Sequence, residues 1–174
     1  MKWIAVILSV ATYSSAFGQT NLMVGPAGHV GSYNGSVGGG MRVEIARDLN
    51  SSVQSIFNVS LDLHEQVNGD YLLERENTFV QDGEGPVISV PIMTGLRFKV
   101  GGGDDNFLFA QISGGGMIST ESGLMGSAGI GAMLYMAGVM VEHNRSVARY
   151  WDYEHSSPKT WTSFHIFMRI PLSM

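Results

Sequence analysis

The chain has 174 residues, a formal net charge of −5 and no cysteine. Scattered basic residues in an acidic chain argue against nucleic acid as a partner, and the missing thiols exclude disulfides and cysteine-ligated metal. Charged residues are 14% of the chain against about 25% in soluble domains, and the 23 glycines exceed the usual share of about 7%, so an ordinary water-facing surface would be short of charge.

In chain order, the basic start Met1-Lys2 runs into an apolar stretch from Trp3 to Ala11. Ala16 and Gly18 then stand at the two positions a signal peptidase reads, with Phe17 between them. This is the grammar of a secretory signal peptide, expected to span residues 1–18 with cleavage before Gln19, leaving 19–174 as one domain. No later segment supplies the roughly 18 to 20 consecutive apolar residues of a membrane-crossing helix. Any crossing after cleavage must use strands.

The remainder divides into eight segments of alternating polarity, predicted as strands at Leu22 to Tyr33, Ser36 to Arg47, Val53 to Gln66, Val87 to Val100, Phe107 to Ser119, Leu124 to Met136, Gly138 to Val147 and Thr160 to Leu172. Turn chemistry separates most of them: Asn34-Gly35 is a hairpin signal, Asp48 to Ser52 is polar, and Gly101 to Asn106 offers backbone freedom. The sixth and seventh are divided near Ala137, in a stretch from Gly126 to Val141 with hardly any turn residues. Two connections are long, Val67 to Pro86 and Ala148 to Lys159.

A period of two sorts each strand into two faces. In the third, Val53, Phe57, Val59, Leu61 and Leu63 oppose Gln54, Asn58, Ser60, Asp62 and His64. Alternation alone is equally compatible with a soluble lipocalin-like barrel of the periplasm, apolar inside and carrying an apolar ligand. The content of the polar face favours the reverse arrangement. It is rich in Gly and Ser, which make a weak soluble sheet surface but fit the crowded lumen of an eight-stranded barrel. Its larger members carry both signs, so Arg42, Glu44, Asp62, His64, Arg97, Lys99, Glu142, His165 and Arg169 are expected inside the barrel as a polar network.

An even number of strands of about ten residues, with short turns at one end and longer loops at the other, is the signature of an all-β, antiparallel, up-and-down transmembrane barrel in an outer membrane. With both chain ends in the periplasm, both long connections lie outside the cell. The Val67–Pro86 segment, with Tyr71, Leu72, Arg75 and Phe79, is then the extracellular contact loop. Tyr71, Tyr150, Trp151, Tyr153 and Trp161 would form an aromatic girdle near the outer rim.

The stretch Val90-Pro91-Ile92-Met93-Thr94-Gly95-Leu96-Arg97-Phe98, followed by Phe107-Leu108-Phe109-Ala110-Gln111-Ile112-Ser113-Gly114-Gly115-Gly116, resembles the central hairpin of the small outer-membrane-protein β-barrel domain family. Ala128-Gly129-Ile130-Gly131 and Val139-Met140-Val141-Glu142 resemble its next two strands. The resemblance implies insertion by the barrel-assembly machinery, contact with outer-membrane lipids and a cell-surface position, and it carries no shared catalytic residues. Such chains usually finish on an aromatic residue, whereas this sequence ends Pro171-Leu172-Ser173-Met174.

Sites of chemistry are weakly signalled, and no cofactor is expected. Gly126-Ser127-Ala128-Gly129-Ile130-Gly131 lacks the spacing and the strand-loop-helix context of a nucleotide loop. None of His29, His64, His143, His155 and His165 pairs at a metal-ligand spacing, and His64-Glu65 lacks the second histidine of a zinc-protease helix. His64 and His165 both fall on the inner face, where register could bring them together. Some outer-membrane barrels are lipid-modifying hydrolases, and for these the candidate is Glu154-His155-Ser156-Ser157 in an outer loop. Such a loop is a poor place to hold a nucleophile against its base. The reading is therefore a non-enzymatic, monomeric barrel with an envelope-structural or surface-binding role.

Overall fold

The computed structural model describes residues 19–31, 37–64, 87–119, 123–148 and 159–172. The strands are β1 (Thr20–Gly31), β2 (Val37–Asp48), β3 (Val53–His64), β4 (Val87–Gly102), β5 (Asn106–Ser119), β6 (Gly123–Leu134), β7 (Ala137–Ala148) and β8 (Lys159–Leu172). They pair in sequence order, all antiparallel, and β8 returns to β1 to close the barrel. The predicted signal peptide, the segment with Tyr71, Leu72, Arg75 and Phe79, and the Glu154-His155-Ser156-Ser157 run lie outside the described residues.

Register fixes the geometry. The circuit from Leu22 through Ile45, Phe57, Thr94, Gly114, Gly126 and Arg145 arrives at Thr160, whereas Leu22 itself pairs with Ile170. Closure therefore displaces the register by ten residues, 170 against 160. At ~3.3 Å per residue, against eight strand spacings of ~4.8 Å, this tilts the strands by about 40°. A barrel of that size has room inside for side chains only.

At the end that carries the chain's first described residue, the turns are short and locally specified. Between β2 and β3, Asn50 Oδ1 accepts from the backbone N–H groups of Ser52 and Val53, both at 2.8 Å, the side-chain mimicry that favours Asn in turns. Between β4 and β5, Gly101 and Gly102 adopt φ of 75° and 100°, and the ladder shifts register between Val100 and Gly102. Glycine supplies that conformation without steric cost.

The β6–β7 turn differs from expectation. It is Tyr135-Met136, and Ala137 already belongs to β7. Tyr135 has φ of 56°, an uncommon conformation for a residue with a side chain. Its backbone N–H lies 3.0 Å from Asn106 Oδ1 and 2.9 Å from the Asp105 carbonyl, and both accept from it. The neighbouring turn holds what the local sequence does not encode.

Large apolar side chains face outward along the strands, including Leu124 at 75% exposure and Ile130 at 69%, while Arg97 is 0% exposed. The interior also has an apolar layer, made by Met23, Ala46, Ile56, Phe107, Phe109, Met133, Met140 and Phe167. Two glycines admit its aromatics: a Cβ on Gly131 would collide with the Phe109 ring, and one on Gly138 with the Phe167 ring. Trp161 does not join an outer girdle. Period two along β8 puts it on the same face as Ser163 and His165, and it is buried with Met93, Met117 and Met125.

Candidate functional site in the barrel interior

At mid-barrel, inward positions on β2, β4, β5, β6, β7 and β8 converge. Arg42 donates to Glu44 Oε2 through Nη2 and to Glu142 Oε2 through Nη1, both at 2.7 Å. Arg97 Nη2 donates to Glu44 Oε1 at 2.5 Å and to Gln111 Oε1 at 2.7 Å. The Arg97 guanidinium also lies 4.3 Å from the Phe109 ring centroid. Ser127 Oγ donates to Glu142 Oε1 at 2.8 Å, and His165 Nε2 stands 3.3 Å from Glu142 Oε2.

Two guanidiniums thus face two carboxylates, and each of the four charged groups has a partner of opposite sign, while Arg42 Nε and His165 Nδ1 make no hydrogen bond. Arg42 and Glu44 are neighbours on the inward face of β2, because two residues bring a strand back to the same face. Glu142 reaches them from across the lumen, which only barrel closure allows. Buried charges persist when paired and hydrogen-bonded. The arrangement is a cross-brace over six strands.

Above it lies a second cluster. His29 Nδ1 is 2.9 Å from Ser163 Oγ, His29 Nε2 is 3.2 Å from Asp62 Oδ1, and Asn144 Nδ2 donates to Ser163 Oγ at 2.8 Å. The His64 ring stacks on His29 at 5.1 Å and meets Trp161 edge-on at 5.5 Å. His64 and His165 therefore belong to separate clusters, one with His29 and one with Glu142. Ser163, His29 and Asp62 stand in the order of a nucleophile, a base and an orienting acid, but His29 Nε2 and Asp62 Oδ1 make no hydrogen bond. Ser163 is 1% exposed, so a substrate carbonyl has no path to its oxygen, and the chain acts as a tie among β1, β3 and β8.

The remaining predicted interior residues stand at the short-turn end. Lys99 Nζ lies 2.8 Å from Asp48 Oδ1, and Arg169 Nη2 lies 2.5 Å from Asp105 Oδ1. Both border a polar cavity of about 370 Å³ with Asn21 and Gln54. Among the described residues, no group of three or more His, Asp or Glu is placed to hold a metal ion. Sequence reasoning placed Ser127 on the inner face but weighed His29 only as a metal ligand and passed over Gln111 and Asn144; these last three are buried. Period two marked their face, and their partners come from strands distant in sequence.

No protein-family model matches the chain, and no curated protein matches it in sequence. Among solved structures, it is similar to the crystal structure of Ail, the attachment invasion locus protein of Yersinia pestis. Identity is 12%, the TM-score is 0.53, and the alignment covers 88% of this chain and 99% of that one. The same protein in complex with the heparin analogue sucrose octasulfate aligns at 10% identity and a TM-score of 0.51, over 88% of this chain and 99% of that one. Likeness at such identity shows the fold alone: an eight-stranded antiparallel closed barrel like that of Ail.

Proposed function

We propose that the chain is a non-enzymatic β-barrel of an outer membrane, exported by the segment 1–18, inserted by the barrel-assembly machinery and held among membrane lipids as a monomer. It serves the envelope as a structural element or as a surface-binding protein. The observation that carries this reading is inverted polarity: charged pairs are enclosed, while Leu, Ile, Val, Phe and Met side chains face outward around the barrel. Such a wall suits hydrocarbon and is an aggregation liability in water. A soluble carrier of an apolar ligand needs the opposite, a lumen that is apolar and empty.

The likeness to Ail, named as an attachment protein, supports a contact role for the connections at the end opposite the short turns. On this reading Tyr71, Leu72 and Phe79 form an apolar tip beside Arg75 in the 67–86 connection. The resemblance to the small outer-membrane-protein β-barrel domain family belongs to the same proposal. Trypsin applied to intact cells tests it. Cleavage after Arg75 is expected without opening the outer membrane, and protection there with cleavage only from the periplasmic side would overturn the orientation.

A further inference from the structure

On β3 and β4 the outward apolar face runs to the strand ends at Leu63 and Ile88, but on β7 it is interrupted after Val141 and on β8, toward Thr160, after Phe164. The next outward positions are His143 and Arg145 on β7, paired with Thr162 and Thr160 on β8. His143 and Arg145 are both exposed. On the β6 side they face Ala128 and Gly126, and beyond Gly126 lies Gly114 of β5. A Cβ on Gly126 or Gly114 would meet nothing closer than 3.7 Å, so a shallow trough runs beside the Arg145 guanidinium and the His143 imidazole.

Directly below, in line with Val141 and Phe164, an external groove of about 660 Å³ is bordered by Leu108, Ala110, Ile130, Ala132, Val139 and Ile166. Its floor is low because Ala110 and Ala132 are small. The groove shares Val141 and Phe164 with the polar patch of Arg145 and His143 above it, so the two are one continuous surface. Resting on the membrane reading above, we infer that this surface is a binding site for a single lipid whose head carries phosphate, with an acyl chain in the groove and the phosphate against Arg145 and His143.

Charge selects this occupant. An arginine on the lipid face is unfavourable by an amount that grows with depth in the bilayer, and a phosphate removes that cost through charge-assisted hydrogen bonds. No carboxylate of the described residues pairs with Arg145. His143 Nδ1 lies 3.5 Å from Thr162 Oγ1, which leaves Nε2 to meet a head group. A second copy of the barrel would present the same apolar wall, its strand carboxylates Glu44, Asp62 and Glu142 being enclosed, and so gives Arg145 no anion.

Native mass spectrometry of the full mature protein from neutral detergent, with dioleoylphosphatidic acid or dioleoylphosphatidylcholine added, tests the site. One phosphatidic acid adduct is expected, preferred over phosphatidylcholine, with inorganic phosphate failing to displace it. The double substitution Arg145→Ala, His143→Ala is expected to weaken the adduct about tenfold, as for loss of charge-assisted bonds. Filling the groove with Ala132→Phe is expected to weaken binding of both lipids. Equal retention by wild type and double variant, displacement by free phosphate, or a protein dimer in place of the adduct would overturn the inference. Insertion of the wild type into phosphatidylcholine vesicles is read in parallel: if it fails, the membrane reading falls, whereas insertion without head-group selectivity removes only the lipid site.

Discussion

Arg97→Ala removes the most enclosed charge in the barrel. The side chain is 0% exposed, pairs with Glu44 at 2.5 Å and Gln111 at 2.7 Å, and covers the Phe109 ring. Its loss leaves Glu44, 3% exposed, with Arg42 alone, and Arg42 is already shared with Glu142. Breaking one side of a buried pair costs about 3 to 5 kcal/mol, because the remaining charge cannot recover its hydration. With a urea dependence of ~2 kcal/mol/M, the unfolding midpoint in detergent should fall by roughly 1.5 to 2.5 M. The exposed Asp104, whose backbone carbonyl rather than its carboxylate accepts from Arg169, is the control. Asp104→Ala should move the midpoint little, as surface charges contribute near zero. Removing both partners in Arg97→Met, Glu44→Gln should cost less than the sum of the single changes. Equal midpoints for Arg97→Ala and Asp104→Ala would refute the enclosed brace.

Because Arg42, Arg97, Glu142 and Phe109 fill the lumen, planar-bilayer recording of the purified monomer should show no steady porin-sized channel; such channels would contradict a packed interior. Gly131→Ala pushes a methyl group into the Phe109 ring and should destabilise by about 1 to 3 kcal/mol, whereas Gly28→Ala, which meets nothing within 4 Å, should be neutral or slightly stabilising in the same assay. Intact-mass analysis of the exported protein should give a chain beginning at Gln19; retention of Met1 to Gly18 would show that the first segment is not a cleaved signal.

Strand number, order and facing were legible because period two is a strong signal wherever one face is apolar. Val53, Phe57, Val59, Leu61 and Leu63 all fall on one face of β3, and they are the less buried set in the structure. Predicted and observed boundaries agree within about two residues where Asn50 or Gly101 and Gly102 mark the turns. The β6–β7 turn was misplaced because Tyr135 carries no turn signal: Asn106 and Asp105, from another hairpin, stabilise its left-handed backbone. Apolar residues on the inner face were the other blind spot. Ile56, Met23, Met93 and Trp161 sit inside, where shape and not polarity selects them, and Trp161 was read as a girdle residue for that reason. Which charges pair depends on register around the closed circuit. Arg42 and Glu142 are 100 residues apart, and no local pattern links them.

The account rests on an apolar outer wall that belongs in lipid. Fractionation of cells expressing the full chain tests this most directly, using a urea wash of the membranes followed by detergent extraction. The protein should stay with the membranes through urea and leave only with detergent, running as a compact band unless heated. Release as soluble protein by osmotic shock, with none left in the washed membranes, would contradict it.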